Sequence, residues 1–335
     1  MIKTIVRIQS ATCLMCLAFA VSALGQARPG SVGQPVLSYI VDSAHQLRPL
    51  VGVVGAASIG NPVDLGFDVA LAAVPPSHDY ILATPSVGGW PVLLQISSGA
   101  MTPQWTAFTQ SNIDSAVIFD RVTLSPTGSS AAFYSSAQGR IYVFKNLSQS
   151  PVAYSQIDIN GIGKITAFGV SDDGQKVGIG VSDGQIGALY VSNNGQPPFP
   201  AATMSHPAAI AFLRNSSNSA VADDQQNTVY LVAGDQAFPI ASASDGIAGP
   251  VAIATSNDNQ RVFVASSQTG SVMTISLSGI ATAPVYCNCN LTGLYPTNTD
   301  SVFRLTDFSG GPVLLFDANR AAPRITFVPA SGSRF

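Results

Sequence analysis

The 335-residue chain contains no glutamate. All eighteen of its acidic side chains are aspartate, set against four lysines and eleven arginines. Helical bundles and coiled coils wet their outer faces with Glu and Lys, so this shortage argues against both. Charged residues make up only 10% of the chain while 46% is hydrophobic, which excludes disorder of the charged kind. The formal net charge of -3 does not supply the basic surface that a nucleic-acid binder needs.

Other shortages narrow the chemistry. There are three histidines, His45, His78 and His206, each isolated among turn-forming neighbours. No His-x-His, no HExxH and no zinc-spaced cysteine pair occurs. A calcium loop usually ends on a bidentate Glu, and none is present. We therefore expect no metal and no cofactor. Gly180-Val181-Ser182-Asp183-Gly184 has the letters of a nucleophile elbow. That elbow needs a strand running into a helix, whereas this match lies between two predicted strands and reads as a hairpin turn. No catalytic residue is assigned.

The N-terminus reads as an export signal. Lys3 and Arg7 precede an apolar run from Ala11 to Ala23, and Ala23-Leu24-Gly25 has small residues where a signal peptidase cuts. The expected organisation is a signal peptide over residues 1–25 and one domain over 26–335. After cleavage no apolar run reaches the ~18 residues of a spanning helix, so a secreted or periplasmic protein without a membrane span is expected.

The rest of the chain is a repeat. Turn signals begin near Pro75, Ser125, Ser171, Arg214, Ser256 and Pro296, at intervals of 50, 46, 43, 42 and 40 residues. A four-stranded propeller blade takes about 40–45 residues. Between the turns lie short runs rich in Val, Ile, Tyr and Phe, broken by Gly, Asn, Asp, Ser and Pro. Such a sheet has two apolar faces, and stacking sheets radially buries both. The predicted fold is all-β: a single β-propeller of four-stranded antiparallel blades, six or seven in number, with seven preferred. Small apolar runs such as Ala208–Leu213 and Val251–Thr255 should line the channel. The N-terminal piece, with Val36–Val41 and the run from Leu47, is short of a full repeat. It is expected either as a reduced seventh blade closed by the C-terminal strand Arg324–Val328 or as trim on a six-bladed ring.

Ser125-Pro-Thr-Gly, Ser171-Asp-Asp-Gly, Arg140-Ile-Tyr-Val-Phe and Ala188-Leu-Tyr-Val carry a family likeness. They resemble the Ser-Pro-Asp-Gly turn and Val-Tyr-Val strand of bacterial secreted β-propellers of the YVTN and WD40-like superfamily. The chain lacks the Trp-Asp dipeptide and Gly-His opening of the eukaryotic type. The resemblance implies a fold and brings no catalytic residue with it.

Two features remain as candidate sites. Cys287-Asn288-Cys289 holds the only cysteines left after signal cleavage. An exported pair reads first as a disulfide; buried thiols and metal or redox use stay open. Trp90 and Trp105 flank the first outer hairpin with Tyr80 nearby, a candidate binding surface, with packing at a blade edge as the competing reading. The leading functional expectation is a non-enzymatic recognition or scaffold module for a protein or glycan of the envelope or extracellular space. The alternative is a lactonase-like hydrolase with its site in the central channel.

Overall fold

The structure is a computed structural model that describes residues 35–97, 100–103, 117–184, 186–308, 310–319 and 321–330. The expected signal segment and Trp105 lie outside them. Among the described residues twenty-seven strands form seven sheets, each built from strands consecutive in sequence.

Blade 1 holds β1 (Val36–Val41), β2 (Leu47–Val53) and β3 (Ala56–Ile59). Blade 2 holds β4 (Val69–Ala73), β5 (Tyr80–Pro85), β6 (Val92–Ser97) and β7 (Ala100–Pro103). Blade 3 holds β8 (Arg121–Leu124), β9 (Ser130–Ser135), β10 (Arg140–Lys145) and β11 (Val152–Asp158). Blade 4 holds β12 (Ile165–Val170), β13 (Lys176–Ser182), β14 (Gly187–Asn193) and β15 (Phe199–Met204). Blade 5 holds β16 (Pro207–Phe212), β17 (Ser219–Asp223), β18 (Thr228–Ala233) and β19 (Gln236–Ala241). Blade 6 holds β20 (Pro250–Thr255), β21 (Arg261–Ser266), β22 (Ser271–Ser276) and β23 (Val285–Tyr286). Blade 7 holds β24 (Tyr295–Pro296), β25 (Val302–Arg304), β26 (Val313–Asp317) and β27 (Arg324–Val328). The molecule is thus a seven-bladed β-propeller. Among the described residues the sole helical element is one 3-10 turn, Ala243–Asp245, and no helix is long and apolar enough to cross a membrane.

The repeat read in the sequence recurs as backbone geometry. The inner strand of five blades carries the same register shift near its start, at Val36/Ser38, Val69/Leu71, Ile165/Ala167, Pro207/Ala209 and Pro250/Ala252. Such a bulge adds local twist and bends the strand. Apolar clusters then fill the spaces between sheets: Phe133, Tyr142 and Phe144 with Tyr80 and Leu82, and Val262 and Val264 with Ala220 and Ala222. The outer strands of blades 4 and 5 carry Pro200 and Pro239, each next to a register shift that leaves an extra residue, Ala201 or Ile240, in the same strand. A proline on an edge strand removes a free N–H and blunts the edge.

Blade 1 departs from expectation. Among the described residues it has three strands, and Arg324–Val328 does not complete it; that segment pairs with β26 as the fourth strand of blade 7. The reason is parity. Each four-stranded blade ends at the mouth where the next inner strand begins. A three-stranded blade can end there only if its inner strand runs the other way. Two contacts establish that reversal. The β1–β2 turn meets the start of β4, where Val69 N donates to the His45 carbonyl at 2.8 Å. The start of β1 meets the opposite face, where Asn298 N donates to the Leu37 carbonyl at 2.9 Å. Leu37, Ile40, Leu50 and Ala57 pack against Val313, Leu315 and Val328 to close the ring.

Candidate functional site

The inner strands enclose a central channel with a cavity of about 710 Å³. Its wall is mostly small and apolar, including Ala70, Ala72, Gly169, Ala208, Ala252 and Ala254. The expected inner runs of blades 5 and 6 therefore do line it. We call the end where β4, β8, β12, β16, β20 and β24 start the entry mouth, and the other end the exit mouth.

The turns after those six strands all lie on the exit face. Side chains bind each turn to its neighbour. Tyr80 of blade 2 donates its hydroxyl to the Gly128 carbonyl of blade 3. Gly128 has φ +76° beneath Pro75, a place that a Cβ would overfill. Asp172 in the blade 4 turn serves three blades. Its Oδ1 accepts from Thr127 N at 2.7 Å and Thr127 Oγ1 at 2.6 Å, and its Oδ2 accepts from Asn215 N at 2.6 Å. Asn259 of blade 6 accepts from Arg214 N at 2.7 Å and donates to the Arg214 carbonyl at 2.9 Å. Arg261 Nη2 donates to Ser301 Oγ at 3.0 Å, joining blades 6 and 7. Asn298 Nδ2 donates to the Val36 carbonyl at 2.7 Å, joining blade 7 to blade 1. Six of the seven seams thus carry a side-chain hydrogen bond on this face. The seventh, between blades 1 and 2, has a ring contact there instead, Tyr39 to His78 at 6.4 Å.

His78 stands out within that seam. Both its ring nitrogens are buried without a hydrogen-bond partner, and its φ is +54°. Burial pulls its pKa from 6.5 down to about 4, partly opposed by the neighbouring Asp79.

Of the five charged groups that line the channel, Asp300 belongs to the exit face and the other four fall in two separate pairs. In blade 3, Arg121 donates to the Thr166 and Ile165 carbonyls at 2.8 and 3.1 Å and stacks on Tyr134 and Phe168 at 5.0 and 5.4 Å. Burial lowers its pKa. Asp120 Oδ2 accepts from Ser136 N at 2.5 Å. In blade 7, Arg304 Nη1 donates to the Thr306 carbonyl at 2.6 Å and to Asp307 Oδ1 at 3.1 Å. Its guanidinium lies 3.8 Å from the centre of the Tyr295 ring, and burial raises the Tyr295 pKa. Sequence reading missed this cluster, because only the pairing of Tyr295 with Arg304 across β24 and β25 brings its members together.

The residues singled out from sequence fare differently. Tyr80 is a correction: it is 1% exposed and belongs to the core, so it offers no surface. Trp90 is half-buried, edge-on to Phe144 at 6.0 Å, and packs on the same cluster. Cys287 and Cys289 are bonded to each other, with Cα atoms 5.2 Å apart, in the segment between blades 6 and 7. Gly270 lies directly beneath them, and its Cβ would meet the Cys287 carbonyl at 2.9 Å. Ser182 sits at a strand-to-strand turn, donating to the Ser205 carbonyl at 3.2 Å and accepting from Gly184 N at 3.0 Å. His45 Nδ1 lies 3.2 Å from the Val69 carbonyl. His206 is not isolated as its sequence neighbours suggest, since its Nδ1 is 2.7 Å from Asp224 Oδ1. Among the described residues no group of three or more His, Cys, Asp or Glu is placed to hold a metal ion.

No family profile matches the sequence, and no curated protein matches it. Solved structures do. A functionally unknown protein from Desulfotomaculum acetoxidans DSM 771 aligns with a TM-score of 0.60 at 13% identity, covering 89% of this chain and 100% of that one. Virginiamycin B lyase from Staphylococcus aureus aligns with a TM-score of 0.51 at 13% identity, covering 78% of this chain and 84% of that one. A chain of a nidogen/laminin complex gives 0.50 at 12% identity, covering 77% and 96%. These likenesses are to propeller proteins and establish the fold class alone.

Proposed function

We propose that this protein is an exported, non-enzymatic recognition module that meets a protein or glycan of the envelope or extracellular space on its exit face. The observation that carries this reading is the girdle of side-chain hydrogen bonds across six seams of that face. It holds the turns in fixed relation, so a partner meets a surface whose ordering cost is already met. The groups exposed there are polar: Asp173, Asn215, Asn257, Asp258, Asn298 and Asp300. Export rests on the signal-like N-terminus, and membership of the YVTN and WD40-like superfamily on the turn and strand motifs. No metal or cofactor takes part.

A second reading, a lactonase-like hydrolase, is favoured by one observation: three Asp and two Arg line the channel. Against it, Arg121, Asp120 and Arg304 each serve the scaffold through bonds to backbone groups. One experiment separates the two. Affinity capture from the native envelope fraction is run with wild type and with Asn257→Lys/Asp300→Lys, alongside a panel of lactones and esters. The recognition reading expects at least tenfold less captured partner with the double variant at unchanged melting temperature. Turnover that disappears in Asp120→Ala or Asp307→Ala would overturn it.

A further inference from the structure

The disulfide between Cys287 and Cys289 joins residues two apart, across Asn288 alone. Fold and bond support each other equally: whatever stability the bond gives the fold, the fold returns to the bond. In the chain-entropy account that amount grows with the length of the loop closed. A loop this short restricts the unfolded chain little, so the fold does little to keep the bond shut. Nor does the segment need the bond to hold its place. Before it, Val285 and Tyr286 of β23 pair with Val272 and Ser271, and Cys287 N donates to the Gly270 carbonyl at 2.7 Å. After it, Leu291 is buried in the cluster shared by blades 6 and 7, and Thr292 N donates to the Leu305 carbonyl at 3.0 Å. Gly270, at φ +57°, makes room for the backbone of both cysteines; a Cβ there would meet the Cys287 carbonyl at 2.9 Å and the Cys289 carbonyl at 3.3 Å.

The pair also stands where another molecule can meet it. Outer strand β23 ends at the mouth where β24 begins, so this segment lies on the entry face. Both cysteines are partly exposed, and Tyr286, Asn288 and Asn290 beside them are exposed. Both also pack against the apolar cluster of blades 6 and 7, which fixes their position whether or not they are bonded. They are the only cysteines outside the signal-like segment, so no other thiol of the described chain competes for them. A disulfide that solvent reaches and the fold does not hold shut belongs to the labile, exchanging kind rather than the structural kind.

We propose that the Cys287–Cys289 disulfide is reactive and exchanges with the dithiol of a partner polypeptide at the entry face while the propeller stays folded. A partner thiolate attacks one sulfur of the pair. A bond forms between the two chains, the Cys287–Cys289 bond breaks, and the displaced sulfur leaves as a thiolate that takes up a proton. The partner's second thiol then loses its proton and attacks the partner's own sulfur in the mixed disulfide. The partner departs as a disulfide, oxidised by two electrons, and this chain is left with two thiols. A second disulfide, such as that of oxidised glutathione, restores the bond by the reverse exchange. The site is separate from the exit face and does not depend on what binds there.

Equilibration of the full chain with mixtures of reduced and oxidised glutathione tests this, the thiols at Cys287 and Cys289 being followed by alkylation and peptide mass. The bond should open within the range of these mixtures and without denaturant. Reduction should lower the melting temperature by no more than about 4 °C. The oxidised chain should convert a synthetic dithiol peptide to its disulfide, with Cys287 and Cys289 appearing as thiols in step. Cys287→Ser/Cys289→Ser should lose that conversion at an unchanged circular-dichroism spectrum. A bond that glutathione opens only in denaturant would overturn the proposal, as would a larger fall in melting temperature, a double variant that does not fold, or peptide oxidation that persists in the double variant.

Discussion

Blade 1 and blade 4 are made from similar residues and held by different means. Blade 4 is the regular case. Its four strands enter at one mouth and leave at the same mouth, and Asp172 in its first turn is hydrogen-bonded to the blades on both sides. Blade 1 has three strands, an inverted inner strand and no such aspartate at the exit face. Its first turn, with Asp42 accepting from Ala44 N and Gln46 N at 2.9 Å, points to the entry mouth and fastens to blade 2 through His45. Its other side is closed by apolar contact and by Asn298. A propeller can therefore accept a blade of odd strand number, provided that blade is turned over and sealed mainly by packing.

The comparison breaks most sharply at the apolar seal. Leu50 is 0% exposed among residues of blades 1 and 7. Leu50→Ala should cost about 3–4 kcal/mol through lost burial and the cavity left behind. In hydrogen exchange, β1–β3 should then open before β12–β14, whereas uniform loss of protection would show the two regions to be equally fast.

Next is the aspartate of the regular side. Asp172→Ala removes the acceptor for Thr127 and Asn215, in a residue that is 9% exposed. The expected loss is about 3 kcal/mol, read from chemical denaturation. Asp172→Asn should recover part of it, since one amide oxygen still accepts.

A pH scan sharpens the contrast at the seam between blades 1 and 2. The folded pKa of His78, about 4, lies below its ordinary 6.5. Between those values the unfolded chain holds the extra proton, so stability falls as pH drops from 6.5 to 4 and this contribution levels off below. The loss from this group should reach about 3 kcal/mol near pH 4. In His78→Asn, which suits the positive φ, the difference between pH 7 and pH 4 should shrink by that amount. An unchanged difference would place the acid sensitivity elsewhere.

The smallest effect belongs to the amide bridge. Asn298→Ala removes the bond across the seam to Val36, worth about 1 kcal/mol at an exposed site, and with it the local bond from Thr299 Oγ1. A loss as large as that of Asp172→Ala would mean that the closing seam leans on polar contacts as much as the regular side does.

Much of the architecture was legible because its cause is local. Small apolar runs such as Val251–Thr255 and turns such as Ser125-Pro-Thr-Gly and Ser171-Asp-Asp-Gly report strand length, burial and turn type in the residues themselves. One expectation failed and one feature went unread, both for a reason that is not local. The inversion of β1 depends on where the chain must exit, so the run from Val36 reads the same in either direction. The role of Arg324–Val328 depended on the same parity. At the candidate sites the difficulty was reach. Asp172 looks like any turn aspartate, and its hydrogen-bonded partners lie 43 and 45 residues away. Tyr80 lies near Trp90 and Trp105 in sequence, which groups the three, yet its side chain is buried in the core.

The prolines of the outer strands bear on how this molecule associates. Pro200 and Pro239 interrupt the free edges of blades 4 and 5, which are therefore poor templates for an added strand. On that part of the circumference, side-by-side growth into ribbons is blocked, even where copies are crowded. Binders that work by lending a strand are turned away there, and approach along the ring axis is left as the open route.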